Sequence, residues 1–291
     1  MIFVDGVGIG KKDPAVNPFC NSMLHLLDHF LDAPRVQPIP FGGAVKGIDA
    51  TLGMPGLPQS GTGQTALFTG VNASRLLGYH LYGFPSKKLQ EVILQESILK
   101  KLTERGKKAR FVNVYRPIFF QLGDEVKKVK LSATTYANLA ADLPFLSIDD
   151  ILAERGIYQE FTNQALRDRG FDVPLFTPDQ AGRILAKLAR ENDFTLYEYF
   201  QSDKAGHSQN MEWGQQEVHK LEEFLHALLA ETDLADTLVF LTSDHGNLED
   251  LSTRSHTVNP VPLLAWGQNS PLFLKKISCL TDVSPAVLNL F

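Results

Sequence analysis

The chain reads as an α/β protein built on a mainly parallel sheet sandwiched by helices, and two observations predict it. Short β-rich runs alternate with helical patterns, and each run ends in polar or glycine-rich residues. In an open sheet of that kind, ligands gather beyond the carboxyl ends of the strands.

Four runs carry the strand reading: Ile2 to Val4 before Asp5, Ala109 to Tyr115 before Arg116, Thr195 to Phe200 before Asp203, and Thr237 to Thr242 before Asp244. Helical segments lie between them. Ser97 to Arg105 is closed by Gly106, and Thr177, Pro178 and Gln180 supply a cap, a first-turn proline and a capping-box partner for a helix through Ala181 to Arg190. Val218, Leu221, Phe224, Leu225, Leu228 and Leu229 recur at helical spacing. Residues 117 to 174 contain a capped segment from Ser147 to Gly156 and no strong buried-strand run, so they are expected to form a small cap inserted between core segments 1–116 and 175–291.

At 291 residues, 44% hydrophobic and 21% charged, the chain has the composition of an ordinary globular protein. Its net charge of −5 and pI near 5.9 argue against a nucleic-acid partner, and the basic run Lys127, Lys128, Val129, Lys130 is isolated. Attraction of an anionic substrate would have to be local. Cys20 and Cys279 are too few for a disulfide framework. No apolar run reaches membrane-spanning length, so the expected setting is cytoplasmic, without a membrane partner.

Chemistry-bearing residues cluster at the strand ends. Asp203 and His207 are four apart, so a helical turn puts both on one side, within reach of one cation. Alone, such a pair is more often a solvated surface pair. Asp244-His245-Gly246-Asn247 follows an apolar strand directly, and Gly246 permits a turn that aims both side chains at one point. The bland counterpart is a polar turn. His256 stands before Val261-Pro262 and the apolar run Leu263 to Trp266, where a lone histidine is usually structural. Asp5-Gly6-Val7-Gly8-Ile9-Gly10 also follows a strand. It lacks the G-x-G-x-x-G spacing of a dinucleotide fingerprint, and Pro14 and Pro18 interrupt the helix that should follow. Ser60, Gly61, Thr62, Gly63 and Thr65 open a helix whose N-terminus suits an anion, and any of the three hydroxyls could act as nucleophile beside a metal.

In order and content these segments resemble the alkaline phosphatase superfamily, most closely the branch of cofactor-independent phosphoglycerate mutase and phosphopentomutase. The resemblance implies an alkaline-phosphatase-like core and one metal bound by Asp5, Asp244, His245 and Ser60, with a second bound by Asp203, His207 and His256. It singles out Ser60 because the superfamily nucleophile precedes a Thr-Gly pair by nine and ten residues, here Thr69-Gly70; Thr62 is the fallback. Oxygen and imidazole ligands without thiolate suit Zn²⁺ or Mn²⁺. The expected reaction is phosphoryl transfer on a small phosphorylated substrate through phosphoserine. A phosphomonoester hydrolase ranks slightly above a phosphomutase, because the 117–174 segment is far shorter than the arginine-bearing domain that phosphoglycerate mutase inserts and Gln59-Ser60-Gly61-Thr62-Gly63-Gln64 differs from the nucleophile segment of phosphopentomutase; a non-catalytic metal- or phosphate-binding member ranks last. Arg116 is expected to bind the phosphate, with His80, Lys87 and Arg254 as lesser candidates.

Overall fold

The computed structural model describes residues 1–20, 24–123 and 129–291; Lys127 and Lys128 of the basic run lie outside the described residues. The strands are β1 (Ile2–Val4), β2 (Val36–Ile39), β3 (Gly43–Ile48), β4 (Ala109–Phe111), β5 (Asn113–Val114), β6 (Ile157–Tyr158), β7 (Phe194–Tyr199), β8 (Val239–Thr242) and β9 (Val261–Trp266). The helices are α1 (Ser60–Thr69), α2 (Ala73–Leu77), α3 (Lys87–Glu96), α4 (Ile98–Glu104), α5 (Pro117–Gln121), α6 (Ala133–Ala140), α7 (Ile148–Leu152), α8 (Gln164–Arg167), α9 (Pro178–Arg190), α10 (Gln201–Ser208), α11 (Met211–Glu231), α12 (Ser270–Lys276) and α13 (Val283–Leu288).

Among the described residues, seven strands form one sheet in the order β2-β3-β9-β8-β1-β7-β4. The block β8-β1-β7-β4 is parallel, so the chain leaves β1, β7 and β8 at the same edge. β9 runs antiparallel to β8 and to β3, and β3 antiparallel to β2. In this antiparallel wing β9 is the apolar run seen in the sequence, whereas β2 and β3 carry no strong signal: β2 holds Pro38 and is largely exposed, as an edge strand can be.

Alternation along the central strands explains the sandwich. Ile2, Val4, Tyr197, Tyr199 and Leu241 face a cluster with α9 and α11, whereas Phe3, Leu196 and Phe240 face one containing Ala66, Leu67 and Phe68 of α1. The capping box expected at Thr177 and Gln180 opens α9, and a second one at Ser147 and Asp150 opens α7.

The run Ala109 to Tyr115 is not one strand. The Asn113 side chain donates to the Glu198 carbonyl (2.7 Å) and accepts from the Glu198 amide (2.8 Å), taking over the ladder bonds to β7. The backbone of Asn113 and Val114 is thereby released to pair with β6. From residues 117–174, Ile151, Ile157, Phe161 and Leu166 are buried in the cluster that holds Tyr199 and Phe224, and α6 packs on α1, α3 and α4. Within this segment, α5 and residues 129–132 border the cavity in front of Ser60.

Candidate active site

The parallel strand ends deliver the polar residues to one place. Asp5 follows β1, with its backbone amide on the Tyr199 carbonyl (2.8 Å) and its carbonyl accepting from Ser202 Oγ (2.6 Å). Gly6 turns the chain with φ of +70°, and a side chain there would collide with Asp203 at 2.6 Å, so glycine answers both the conformation and the close approach. Asp203 and His207 sit on α10, and Asp244 and His245 follow β8. His256 lies between β8 and β9, its Nδ1 2.8 Å from the Pro58 carbonyl.

Ser60 is the first residue of α1, whose N-cap Gln59 makes no side-chain capping bond. The first amides of such a helix have no intrahelical acceptor, and the positive end of its dipole faces the site. Ser60 Oγ lies 3.0 Å from His245 Nε2. The other two hydroxyls are engaged within the fold: Thr62 Oγ1 donates to the Gln59 carbonyl (3.1 Å) and Thr65 Oγ1 to the Gly61 carbonyl (2.6 Å). Gly63 lets α1 approach the backbone of Asp244, where a Cβ would stand 2.7 Å from the carbonyl oxygen.

Two sets of ligand atoms converge. Asp5, Asp244 and His245 form one, and Asp203, His245 and His256 the other, the atoms of each set lying within 4.8 Å of one another. His245 Nε2 is 3.3 Å from Asp5 Oδ1 and 3.5 Å from Asp244 Oδ2. Both carboxylate oxygens are buried without a hydrogen-bond partner, as is His245 Nδ1. His207 joins the second set, its Nε2 being 3.3 Å from Asp203 Oδ2 and 3.3 Å from His256 Nε2.

The histidine tautomers follow from the backbone. His207 Nδ1 donates to the Arg254 carbonyl (2.7 Å) and His256 Nδ1 to the Pro58 carbonyl. Each Nε2 therefore points at the other and at Asp203, and the hydrogen bond to Asp203 raises the His207 imidazole above its ordinary value, so a cation placed there takes the position of a shared proton. Orphaned carboxylate oxygens and converging imidazole nitrogens fit divalent metal ions, and the set contains no thiolate.

The electrostatics agree. Burial, reinforced by Asp244, pushes the Asp5 carboxyl up to about 8, and burial likewise raises Asp244. Burial opposes charge on His245, but Asp244, Asp5 and Asp203 outweigh it and raise the imidazole to about 10. Asp203 is buried too, yet His207, His245 and Asn247 together hold its carboxyl down to about 2. Burial and the neighbouring His245 lower His256 to about 4. This is a crowd of negative charge that shares too few protons.

Several positioning residues escape the sequence pattern. Glu249 is buried and holds three segments: Oε2 accepts from the Gly8 and Asn247 amides (both 2.8 Å), and Oε1 accepts from Thr257 Oγ1 and Asn259 Nδ2 (3.1 Å). Gln64 donates to Asp5 Oδ2 (3.1 Å), and Asn247 donates to Asp203 Oδ1 (2.7 Å). Glu198 is buried in β7, accepts from Thr134 Oγ1 (2.6 Å), and is pushed by burial up to about 7. Asn247 and Gln64 stand inside segments already conspicuous in the sequence, whereas the partners of Glu249 and Glu198 appear only on folding.

Arg116 caps α5, is exposed, and lines the same cavity as Ser60, Asp5 and Asp203. The lesser candidates stand apart. His80 bonds Ser74 and the Met54 carbonyl, Lys87 starts α3 on the surface, and Arg254 contributes its carbonyl to His207 while its side chain donates to Gln209.

Residues 176–291 match the family model of the Metalloenzyme superfamily. The 2,3-bisphosphoglycerate-independent phosphoglycerate mutase of Mycoplasmoides gallisepticum is 31% identical over 110 residues, 36% of this chain and 22% of that enzyme. The enzyme of the same description from Ehrlichia canis is 28% identical over 102 residues, 33% of this chain and 20% of that one. The matched stretch thus spans about a fifth of each of these relatives. Among solved structures, alkaline phosphatase from the Antarctic bacterium TAB5 superposes with a TM-score of 0.54 at 13% identity, covering 99% of this chain and 96% of that one. The PH0037 protein of Pyrococcus horikoshii gives 0.55 at 12% identity with the same coverages. The fold is alkaline-phosphatase-like. Among the described residues no helix is long and apolar enough to cross a membrane.

Proposed function

We propose that this chain belongs to the alkaline phosphatase superfamily, on the side of the cofactor-independent mutases, and is a metal-dependent phosphoryl-transfer enzyme that hydrolyses phosphate monoesters through Ser60. The observation that carries the reading is the pair of imidazole Nε2 atoms, 3.3 Å apart and both backed by backbone carbonyls, beside three carboxylates that share too few protons. In this reading Asp5, Asp244, His245 and Ser60 hold one divalent ion, and Asp203, His207 and His256 hold the other, Zn²⁺ or Mn²⁺ in each case. When bound, the ions neutralise the carboxylates and lower the pKa of the Ser60 hydroxyl.

The chain's own residues then have defined tasks. The N-terminal amides of α1 hold the phosphoryl oxygens beside Ser60, and Arg116 steadies the ester by charge-assisted hydrogen bonds. Ser60 Oγ loses its proton to solvent and forms a bond to phosphorus as the bond to the leaving oxygen breaks, giving phosphoserine and an alkoxide that takes a proton back from solvent to leave as the alcohol. Attack by water releases phosphate and restores Ser60. A mutase would instead return the phosphoryl group to another hydroxyl of the same substrate, a reading favoured by the sequence match to phosphoglycerate mutases.

Metal analysis of the purified protein, combined with turnover of p-nitrophenyl phosphate with and without Mn²⁺ or Zn²⁺, tests the proposal. The expected result is about two ions per chain and turnover that disappears in Ser60→Ala. Turnover that persists at full rate in Ser60→Ala would remove Ser60 as nucleophile, and a protein that takes up no metal would dissolve the whole assignment.

A further inference from the structure

The cavity that Ser60 shares is larger and more apolar than a small phosphorylated acid requires. It encloses about 640 Å³, within the size range of sites for drug-sized ligands. Phe84, Phe111, Tyr115, Ile118 and Phe119 line it. Part of this wall is rigid: the Tyr115 hydroxyl bonds Thr135 Oγ1 (2.7 Å), and its ring packs against Phe119 with centroids 4.3 Å apart. Another part is open, since Ile118 is 61% and Phe84 49% exposed. Apolar side chains left uncovered beside a nucleophile gain by meeting an apolar group of the ligand. A three-carbon phosphoacid would leave most of the cavity to water and the rings unmatched.

Resting on the phosphoryl-transfer reading above, we infer that this cavity holds the leaving group, and that the preferred substrates are phosphate monoesters of bulky, ring-bearing alcohols, with Lys130 and Lys204 at its polar side. The phosphate sits at Ser60 while the ring system lies against Tyr115, Phe119 and Ile118. Hydrolysis releases that alcohol and inorganic phosphate, with water supplying the proton and the hydroxyl.

The metal-loaded full chain is assayed with 2-naphthylmethyl phosphate and ethyl phosphate. Both release primary alcohols of similar basicity, so the ratio of their kcat/KM reports the cavity rather than the leaving group. The ratio is expected to exceed tenfold. Ile118→Asn and Phe84→Asn, each at an exposed position, should shrink it several-fold with Tm unchanged. Comparable kcat/KM for the two esters, both lost in Ser60→Ala, would overturn the cavity assignment and leave the phosphatase reading standing. If neither ester turns over, the phosphatase reading fails and the cavity is judged by binding alone. Fluorescence titration with 2-naphthylmethylphosphonate, in competition with methylphosphonate, should then show at least tenfold tighter binding of the naphthyl compound; equal affinity overturns the inference.

Discussion

Removing metal should make the protein lose stability as pH rises from 6.5 to 8, and the loss can be worked from the site. In the metal-free fold the Asp5 carboxyl keeps its proton up to about pH 8, against 3.8 in an ordinary aspartate, and His245 keeps its own to about 10, against 6.5. Across this window the unfolded chain has released protons that the folded chain still binds, so stability falls with pH. His256, lowered to about 4, and Asp203, lowered to about 2, act below 6.5 and are spent before the window opens. A span of 1.5 pH units at ~1.36 kcal/mol per unit bounds each group's effect at about 2 kcal/mol. Asp5 and His245 together then cost about 3 kcal/mol, and Glu198, raised by burial to about 7, adds to the loss. The Met1 amine, lowered by burial to about 5 from 8.0, opposes them by up to about 2 kcal/mol, which leaves a net loss of about 2 kcal/mol, or roughly 4 °C in Tm. Bound divalent ions require the carboxylates ionised and the imidazoles neutral, so the stabilisation they bring should grow over the same range. Differential scanning fluorimetry of chelator-treated and Mn²⁺- or Zn²⁺-loaded protein at pH 6.5, 7.25 and 8 measures both slopes, with Asp5→Asn expected to flatten the metal-free one. A metal-free Tm that stays level or climbs with pH, or a metal-induced shift independent of pH, would refute the reasoning.

Ser60→Ala should fold with an unchanged Tm in the metal-free state while phosphatase turnover falls to background, a comparison of circular dichroism with a steady-state assay. Gly63→Ala drives a methyl group against the Asp244 carbonyl, so it should cost about 1–3 kcal/mol in urea unfolding and reduce kcat by displacing Ser60. Glu249→Gln preserves shape but turns an amide donor toward donors it cannot satisfy; isothermal titration should find metal affinity weakened about 10–100-fold. Phe161→Ala empties a ring stacked on Tyr199 and Phe224, with centroids 5.0 and 4.7 Å away. Denaturant unfolding should record a loss of about 3–5 kcal/mol.

Local chemistry made much of the architecture legible in the sequence. The capping box at Thr177 and Gln180, the apolar spacing from Val218 to Leu229 and the β-rich runs of β1, β7 and β8 each express a preference that the chain's own neighbours enforce. Polar residues placed directly after those runs announced where a site would lie, because parallel strands share one carboxyl edge. The β2–β3 pair of the antiparallel wing and the break at Asn113 were not legible. Each depends on partners distant in sequence: Asn113 turns the chain only because Glu198 offers its backbone 85 residues away. The same division holds at the site. Residue types and spacing drew attention to Asp203, His207, Asp244 and His245, and the resemblance to the alkaline phosphatase superfamily added Asp5, His256 and Arg116 and chose Ser60 among three hydroxyls. Which hydroxyl faces the imidazole, which histidine nitrogen is tied to a carbonyl, and how Glu249 locks Gly8 to Asn247 were decided by tertiary packing, since hydrogen-bond geometry and shared burial exist only once separate strand ends occupy one volume.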